Sequence, residues 1–258
     1  MRTRSRIAVL ALAVAPAIAC GGGREPLRIF AAASLRDVLV EIAPMWERGG
    51  GAPLEPVFGA SNWLAEQIAA GARGDLFLSA DEAQMDSLER AGLLLAGTRA
   101  ALLSNRLAVV QPEPLPAGVP RIRAAEDLLD PAVRRIALAN TEGVPGGRYA
   151  RLWLEERGLW DSLAPRVAPA IDVRAALALV ESGAAEAGIV YATDAARSER
   201  ARTSLLVTGQ DAPSIVYPLA VLRSTGRERD ARAFAAFLAG AQAAEAFEQH
   251  GFTLLAGR

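Results

Sequence analysis

Four short segments of this 258-residue chain share one construction: an apolar run, a turn of small residues, and the start of a helix. They are Phe30-Ala31-Ala32-Ala33-Ser34-Leu35, Val57-Phe58-Gly59-Ala60-Ser61-Asn62, Glu142-Gly143-Val144-Pro145-Gly146-Gly147-Arg148 and Asp172-Val173-Arg174. A helix start presents unsatisfied backbone N–H donors at the positive end of the helix dipole. Small residues ahead of it let a ligand approach those amides closely. Ser34 and Ser61 are predicted N-caps, with Asp37 bonding back toward the first. Asp172 is predicted to cap the fourth helix, leaving the Val173 amide at its mouth. A fifth segment, Gly188-Ile189-Val190-Tyr191, ends an apolar strand on a phenol. Taken singly, a serine cap is an ordinary helix start, a glycine turn is geometry, and a tyrosine at a strand end is a core residue. Taken together, the segments offer amides and hydroxyls with hardly any fixed positive charge. That set suits a small tetrahedral oxyanion stripped of water, held by neutral donors.

The elements that must position these groups alternate along the chain. Strands are predicted at Leu27–Ala32, Leu54–Phe58, Leu76–Ser79, Leu107–Gln111, Ile136–Ala139, Arg166–Ala170, Gly188–Tyr191, Leu205–Val207 and Ile215–Leu222. Helices are predicted between them, at 35–48, 62–70, 82–91, 124–129, 148–157 and 174–182, and as one C-terminal helix over 228–250. Such alternation argues for an α/β architecture with mostly parallel sheets flanked by helices. In open α/β sheets ligands sit beyond the carboxyl ends of the strands, so the strand-to-helix corners are expected to face one cleft. The proline-rich stretch Gln111–Pro120 reads as the exit from a first lobe into a second, and the strand at Tyr217–Leu222 as the return. This divides the chain into lobe I (27–108 and 217–258) and lobe II (109–216), with a hinge and a ligand cleft between them.

The N-terminus reads as an address. Arg2, Arg4 and Arg6 precede an apolar run from Ile7 to Ala15, too short to span a bilayer. Ala17-Ile18-Ala19 then leads into Cys20, the only cysteine. Residues 1–19 are therefore expected to be a signal peptide. Cys20 is expected to become a lipid-carrying N-terminus, with 20–26 as a flexible tether and a periplasmic, membrane-anchored location. The 28 basic residues are all arginine and face 29 acids, for a net charge of −1, and no basic run stands out. Nucleic acid is not an expected partner.

Other chemistries find little support. His250 is the sole histidine and sits near the end of the last predicted helix, where contact with helix carbonyls is the simpler account. With one histidine and one cysteine no His/Cys zinc cluster can form. There is no Gly-x-Ser-x-Gly elbow, Walker loop or dinucleotide fingerprint. Asp75 and Asp81 flank a strand and read as caps and loop contacts, and Arg148 as solvent-facing. No metal and no cofactor are expected.

The same segments carry a family resemblance. Phe30-Ala31-Ala32-Ala33-Ser34-Leu35, Phe58-Gly59-Ala60-Ser61, Gly74-Asp75-Leu76-Phe77-Leu78-Ser79-Ala80-Asp81, Val144-Pro145-Gly146-Gly147, Asp172-Val173-Arg174-Ala175-Ala176-Leu177, Gly188-Ile189-Val190-Tyr191 and Gly251-Phe252 occur in one order across the chain. This resembles the molybdate-binding proteins of the ModA type, the substrate-capturing components of ABC importers. The resemblance implies a two-lobe periplasmic binding protein of type II. Its ligand would be molybdate or tungstate and its partner a membrane permease, and it would act as a monomer without catalysis. It also implies that the oxyanion falls on Ser34 and Ser61 (hydroxyl and amide), the Gly146 and Val173 amides, and the Tyr191 hydroxyl. Asn62-Trp63 departs from the small or hydroxyl residues expected there, which makes Trp63 either a lip of the cleft or a packed helix residue. Two competing readings stay open: a binding protein for another small anion, such as sulfate or a carboxylate, and an α/β hydrolase-like enzyme.

Overall fold

The computed structural model describes residues 24–255. The expected signal peptide, Cys20 and the glycines after it lie outside the described residues. The elements run β1 (Leu27–Ala32), α1 (Arg36–Arg48), β2 (Leu54–Gly59), α2 (Ser61–Ala69), β3 (Leu76–Leu78), α3 (Glu82–Arg90), β4 (Ala100–Asn105) and β5 (Leu107–Pro112). They continue with β6 (Ile136–Ala139), α4 (Pro145–Glu156), α5 (Trp160–Leu163), β7 (Val167–Ala170), α6 (Val173–Glu181), β8 (Ala187–Tyr191), α7 (Ala192–Ala196) and β9 (Ala201–Leu206). The chain closes with β10 (Ile215–Val221), α8 (Glu228–Leu238), α9 (Ala241–Gln249) and β11 (Thr253–Leu254).

Two sheets form two lobes. The first has strand order β11-β4-β10-β3-β1-β2 and the second β7-β6-β8-β5-β9. Central strands such as β1, β3 and β8 are buried on both faces, which is why they read as unbroken apolar runs. In each lobe the sheet is mixed, not mostly parallel. The pairings β1–β2, β1–β3, β6–β7 and β6–β8 are parallel. The strands that begin and end each lobe's excursion, β4, β5, β9 and β10, pair antiparallel. A chain that leaves one sheet and later returns to it must lay crossing strands against the direction of the βα units.

The exit from the first lobe also differs from expectation. β4 belongs to the first sheet and β5 to the second, so the chain crosses at Arg106, ahead of the proline-rich stretch. That stretch is a loop of the second lobe, held by the buried Gln111 side chain. Gln111 Nε2 donates to the Pro120 carbonyl at 2.9 Å and Oε1 accepts from Ile122 N at 2.9 Å. The return passes through Val207–Ser214 into β10. The single C-terminal helix is in fact two, α8 and α9, broken where Gly240 adopts an extended conformation and becomes the N-cap of α9.

Candidate functional site

The residues Ser34, Ser61, Gly146, Val173 and Tyr191 line one small cavity between the two sheets, with Ala33, Gly59, Ala60, Ala80, Pro145 and Asp172. Its cavity volume is about 10 Å³, room for about one water-sized group and far below the range of organic ligands. All five sequence-predicted residues thus reach the same space from four strand-to-helix corners and one strand end.

Each corner has a local cause. After β1 the chain makes one 3-10 turn at Ala33–Leu35 before α1 begins. Ser34 lies inside that turn and is not a cap, and no side chain caps α1. Its hydroxyl contacts Tyr217 Oη at 3.0 Å. Asp37 does not bond back toward Ser34 but reaches Arg174 at 2.6 Å. Ser61 is the first residue of α2, one past the N-cap Ala60, and its Oγ accepts from Ala80 N at 2.9 Å. Both serines were expected to cap; Ser61 instead sits one residue past the cap and Ser34 two, because Ala60 and Ala32 already fill the extended cap positions.

α4 opens with Pro145 at its first position, where a missing N–H costs nothing. Gly146 and Gly147 follow, both buried. A Cβ on Gly147 would lie 2.1 Å from the Ala139 carbonyl oxygen, so only glycine lets α4 start directly on the end of β6. A Cβ on Gly146 would lie 2.3 Å from Val173 Cγ1 and 3.4 Å from the Tyr191 ring. The fourth corner matches its prediction: Asp172 caps α6, accepting from Ala175 N at 2.8 Å. The 3-10 turn before α1 and the starts of α2, α4 and α6 therefore all meet at the cavity.

Tyr191 is fully buried and its hydroxyl makes no hydrogen bond among the described residues. Burial pushes its phenol well above the ordinary range, and the neighbouring Tyr217 adds to this. Burial raises Tyr217 in the same way. Both stay neutral hydroxyls at any physiological pH. A buried hydroxyl beside the cavity with no partner of its own is available to a hydrogen-bonding ligand.

A guanidinium does lie close by, which the sequence reading did not anticipate. Arg174 on α6 is committed to carboxylates on both sides: Asp37 of the first lobe and Asp194 of the second. Asp194 is fully buried, and burial raises it to about 7 against the pull of Arg174. Burial also pushes Asp37 upward, but the Arg174 hydrogen bond and the charges of Arg174, Arg197 and His250 together bring it below the ordinary carboxylate range. Arg148 faces solvent, as expected, and its guanidinium also reaches across the cleft to Asp81 at 3.3 Å. Asp81 also caps α3 through Gln84 N. Asp75 accepts from Arg28 N and Thr225 Oγ1, the loop contacts expected of it. His250 does not serve helix carbonyls: its Nε2 meets Glu41 Oε2 of α1 at 2.8 Å. The signal that could have found the Arg174 cluster is an arginine two residues after a cap, opposite an aspartate in the first turn of another helix.

At the mouth of the cleft lies a wider hollow lined by Phe58, Trp63, Asn62, Val144 and Ile171. Trp63 is 52% exposed, a lip of the cleft more than a packed helix residue.

A family model described as bacterial extracellular solute-binding protein matches residues 27–253. The chain is 38% identical to the molybdate-binding protein ModA of Escherichia coli K12, over 96% of this chain and 95% of that protein. It is 32% identical to YvgL of Bacillus subtilis 168, a putative ABC transporter substrate-binding lipoprotein, over 88% of this chain and 86% of that one. Among solved structures, the periplasmic molybdate-binding protein of Azotobacter vinelandii superimposes with a TM-score of 0.79 at 25% identity, covering 88% of this chain and 99% of that one.

Proposed function

The chain belongs to the bacterial extracellular solute-binding proteins and, within them, to the ModA-type molybdate-binding proteins, and we propose that its cleft captures molybdate or tungstate for an ABC importer. It is a binding protein, not an enzyme, as its relatives are. The observation that carries the reading is the cavity itself: five residues with neutral donor groups around one small space, among them Tyr191 with its unpartnered hydroxyl. The Ser34 and Ser61 hydroxyls and amides, the Gly146 and Val173 amides and the Tyr191 hydroxyl are the proposed ligand donors. Each would make a charge-assisted hydrogen bond to a dianion, stronger than its neutral counterpart. The dipoles of α2, α4 and α6 add to the same field without any titratable base.

Delivery requires opening. The crossings at Arg106 and at Val207–Ser214 are the proposed hinges, and closure buries the ion between the lobes. The chain is proposed to act as a monomer with a membrane permease. Export is proposed through residues 1–19, with a lipid on Cys20. The apolar run before that single cysteine and the lipoprotein description of the YvgL relative both support the anchor.

The test is isothermal titration calorimetry of the purified protein against molybdate, tungstate, sulfate and phosphate. One-to-one binding of the first two, with sulfate much weaker, is the expected result. Heat from sulfate or a small carboxylate with none from molybdate would overturn the ligand assignment.

A further inference from the structure

We infer that Asn105 and Tyr217, neither of which lines the anion cavity, are positioning residues that turn the Ser34 hydroxyl hydrogen into it. The inference rests on the anion-capture reading and adds two residues to it.

The polarity of the chain of bonds follows from its first member. Asn105 ends β4, and its Oδ1 accepts the backbone N–H of Arg106 at 2.8 Å. Only an amide oxygen can accept that bond, so the orientation of the group is set, with Nδ2 on the other side. Nδ2 lies 3.0 Å from Thr193 Oγ1 and 3.2 Å from Tyr217 Oη. An amide nitrogen carries two hydrogens and no acceptor capacity, so both hydroxyl oxygens must accept from it. Tyr217 then has its own hydrogen to place. Its neighbours besides Asn105 are the Tyr191 hydroxyl, which makes no hydrogen bond of normal geometry, and Ser34 Oγ, in good geometry at 3.0 Å. Tyr217 is fully buried, and a phenol hydrogen left unmatched there would carry its full desolvation cost. Tyr217 therefore donates and Ser34 accepts.

The consequence reaches the ligand. With its oxygen occupied by Tyr217, Ser34 keeps its hydrogen for another direction, and the cavity is the space it lines. Ser61 shows the same arrangement by a shorter route, since its oxygen accepts from Ala80 N and its hydrogen is likewise released. Both serine hydroxyls are thus prepared as donors before any anion arrives, which avoids a reorientation cost on binding. Asn105 stands immediately before the crossing residue Arg106, and Thr193 belongs to the second lobe. The orientation of Ser34 is accordingly anchored at the hinge.

A double-mutant cycle tests this, because a residue that acts through Ser34 has no effect once the Ser34 hydroxyl is gone. Molybdate affinity is measured by calorimetry for wild type, Ser34→Ala, Tyr217→Phe and the double variant, each first checked for a cooperative melt. Loss of one charge-assisted bond in Ser34→Ala should weaken binding about 10–100-fold. Tyr217→Phe leaves the serine hydrogen free to wander and should weaken it about 3–10-fold. The double variant should match Ser34→Ala within about twofold. Multiplied losses, or wild-type affinity in Tyr217→Phe, would overturn the inference. If Tyr217→Phe does not fold, the same cycle with Asn105→Ala carries the same expectations. Absence of molybdate binding by wild type defeats the ligand reading instead, and the cycle then runs on whichever of tungstate or sulfate wild type binds. Should wild type bind no oxyanion at all, both readings fall.

Discussion

Gly146 has no room for a side chain, since a Cβ there would come within 2.3 Å of Val173 Cγ1. Val173 is itself buried, so turning Cγ1 away would press it against other neighbours. Gly146→Ala is therefore expected to cost about 1–3 kcal/mol of stability, as overpacking does, and to weaken oxyanion binding. Val173→Ala in the same chain should restore most of both losses, checked by thermal melts and calorimetry on the single and double variants. Asp194 gives a second prediction at this scale. Its folded pKa of about 7 lies above the ordinary carboxylate value. A raised acid contributes stability below its unfolded pKa, and that contribution is lost as pH rises toward the folded one. Between about pH 4 and 7 the wild type should lose stability relative to Asp194→Asn, by up to about 1.4 kcal/mol per pH unit. Denaturant melts of both proteins across that range measure the difference; parallel pH profiles would rule the raised pKa out. The candidate residues were all legible as types in the sequence, but the roles of the two serines were not. A serine at the start of a helical pattern is consistent with both a cap and a first-turn position, and only the backbone angles of Ala32 and Ala60 separate them.

Among the elements, α6 depends on its cap. Asp172 accepts the Ala175 amide at the start of the helix whose first residue, Val173, lines the cavity. Asp172→Ala should cost about 1 kcal/mol of stability and weaken anion binding by loosening the helix start. Asp172→Asn should preserve both, because asparagine caps equally well. Melts and calorimetry on the pair separate a capping role from any effect of charge. α6 was legible from Asp172 and its apolar period, whereas β4 was not. Ala100-Ala101-Leu102-Leu103-Ser104-Asn105 contains no β-branched or aromatic residue and reads more readily as helix. It is a strand because β10 and β11 pair with it on either side. The break between α8 and α9 is hidden in the sequence for the opposite reason. Helix-forming residues flank Gly240 on both sides, and one glycine in such a run does not announce a cap.

For the whole molecule, closure is secured by side chains that cross the cleft. Arg174 reaches Asp37 at 2.6 Å and Arg148 reaches Asp81 at 3.3 Å, one pair on each flank of the cavity. Both pairs are partly exposed, so each is worth a modest amount and is weakened by salt. Asp37→Ala leaves Arg174 paired with Asp194 but cuts its link to the first lobe. Solution scattering should then show a larger mean radius than wild type in the absence of oxyanion. Molybdate should dissociate several-fold faster in a stopped-flow chase. Unchanged scattering and an unchanged off-rate would mean that the pair does not hold the lobes together.

The linear chain determined the α/β class and the corners that line the cavity. Those features rest on interactions between near neighbours: apolar runs, small-residue turns and the cap at Asp172. It did not determine which strands run antiparallel, where the chain crosses between sheets, or how Arg174 and Arg148 are partnered. Strand pairing and cleft-spanning ion pairs join residues far apart in sequence, such as Asp37 and Arg174 or Asn105 and Tyr217. Such pairs come into being only when the two lobes have folded and met, and no local pattern records them.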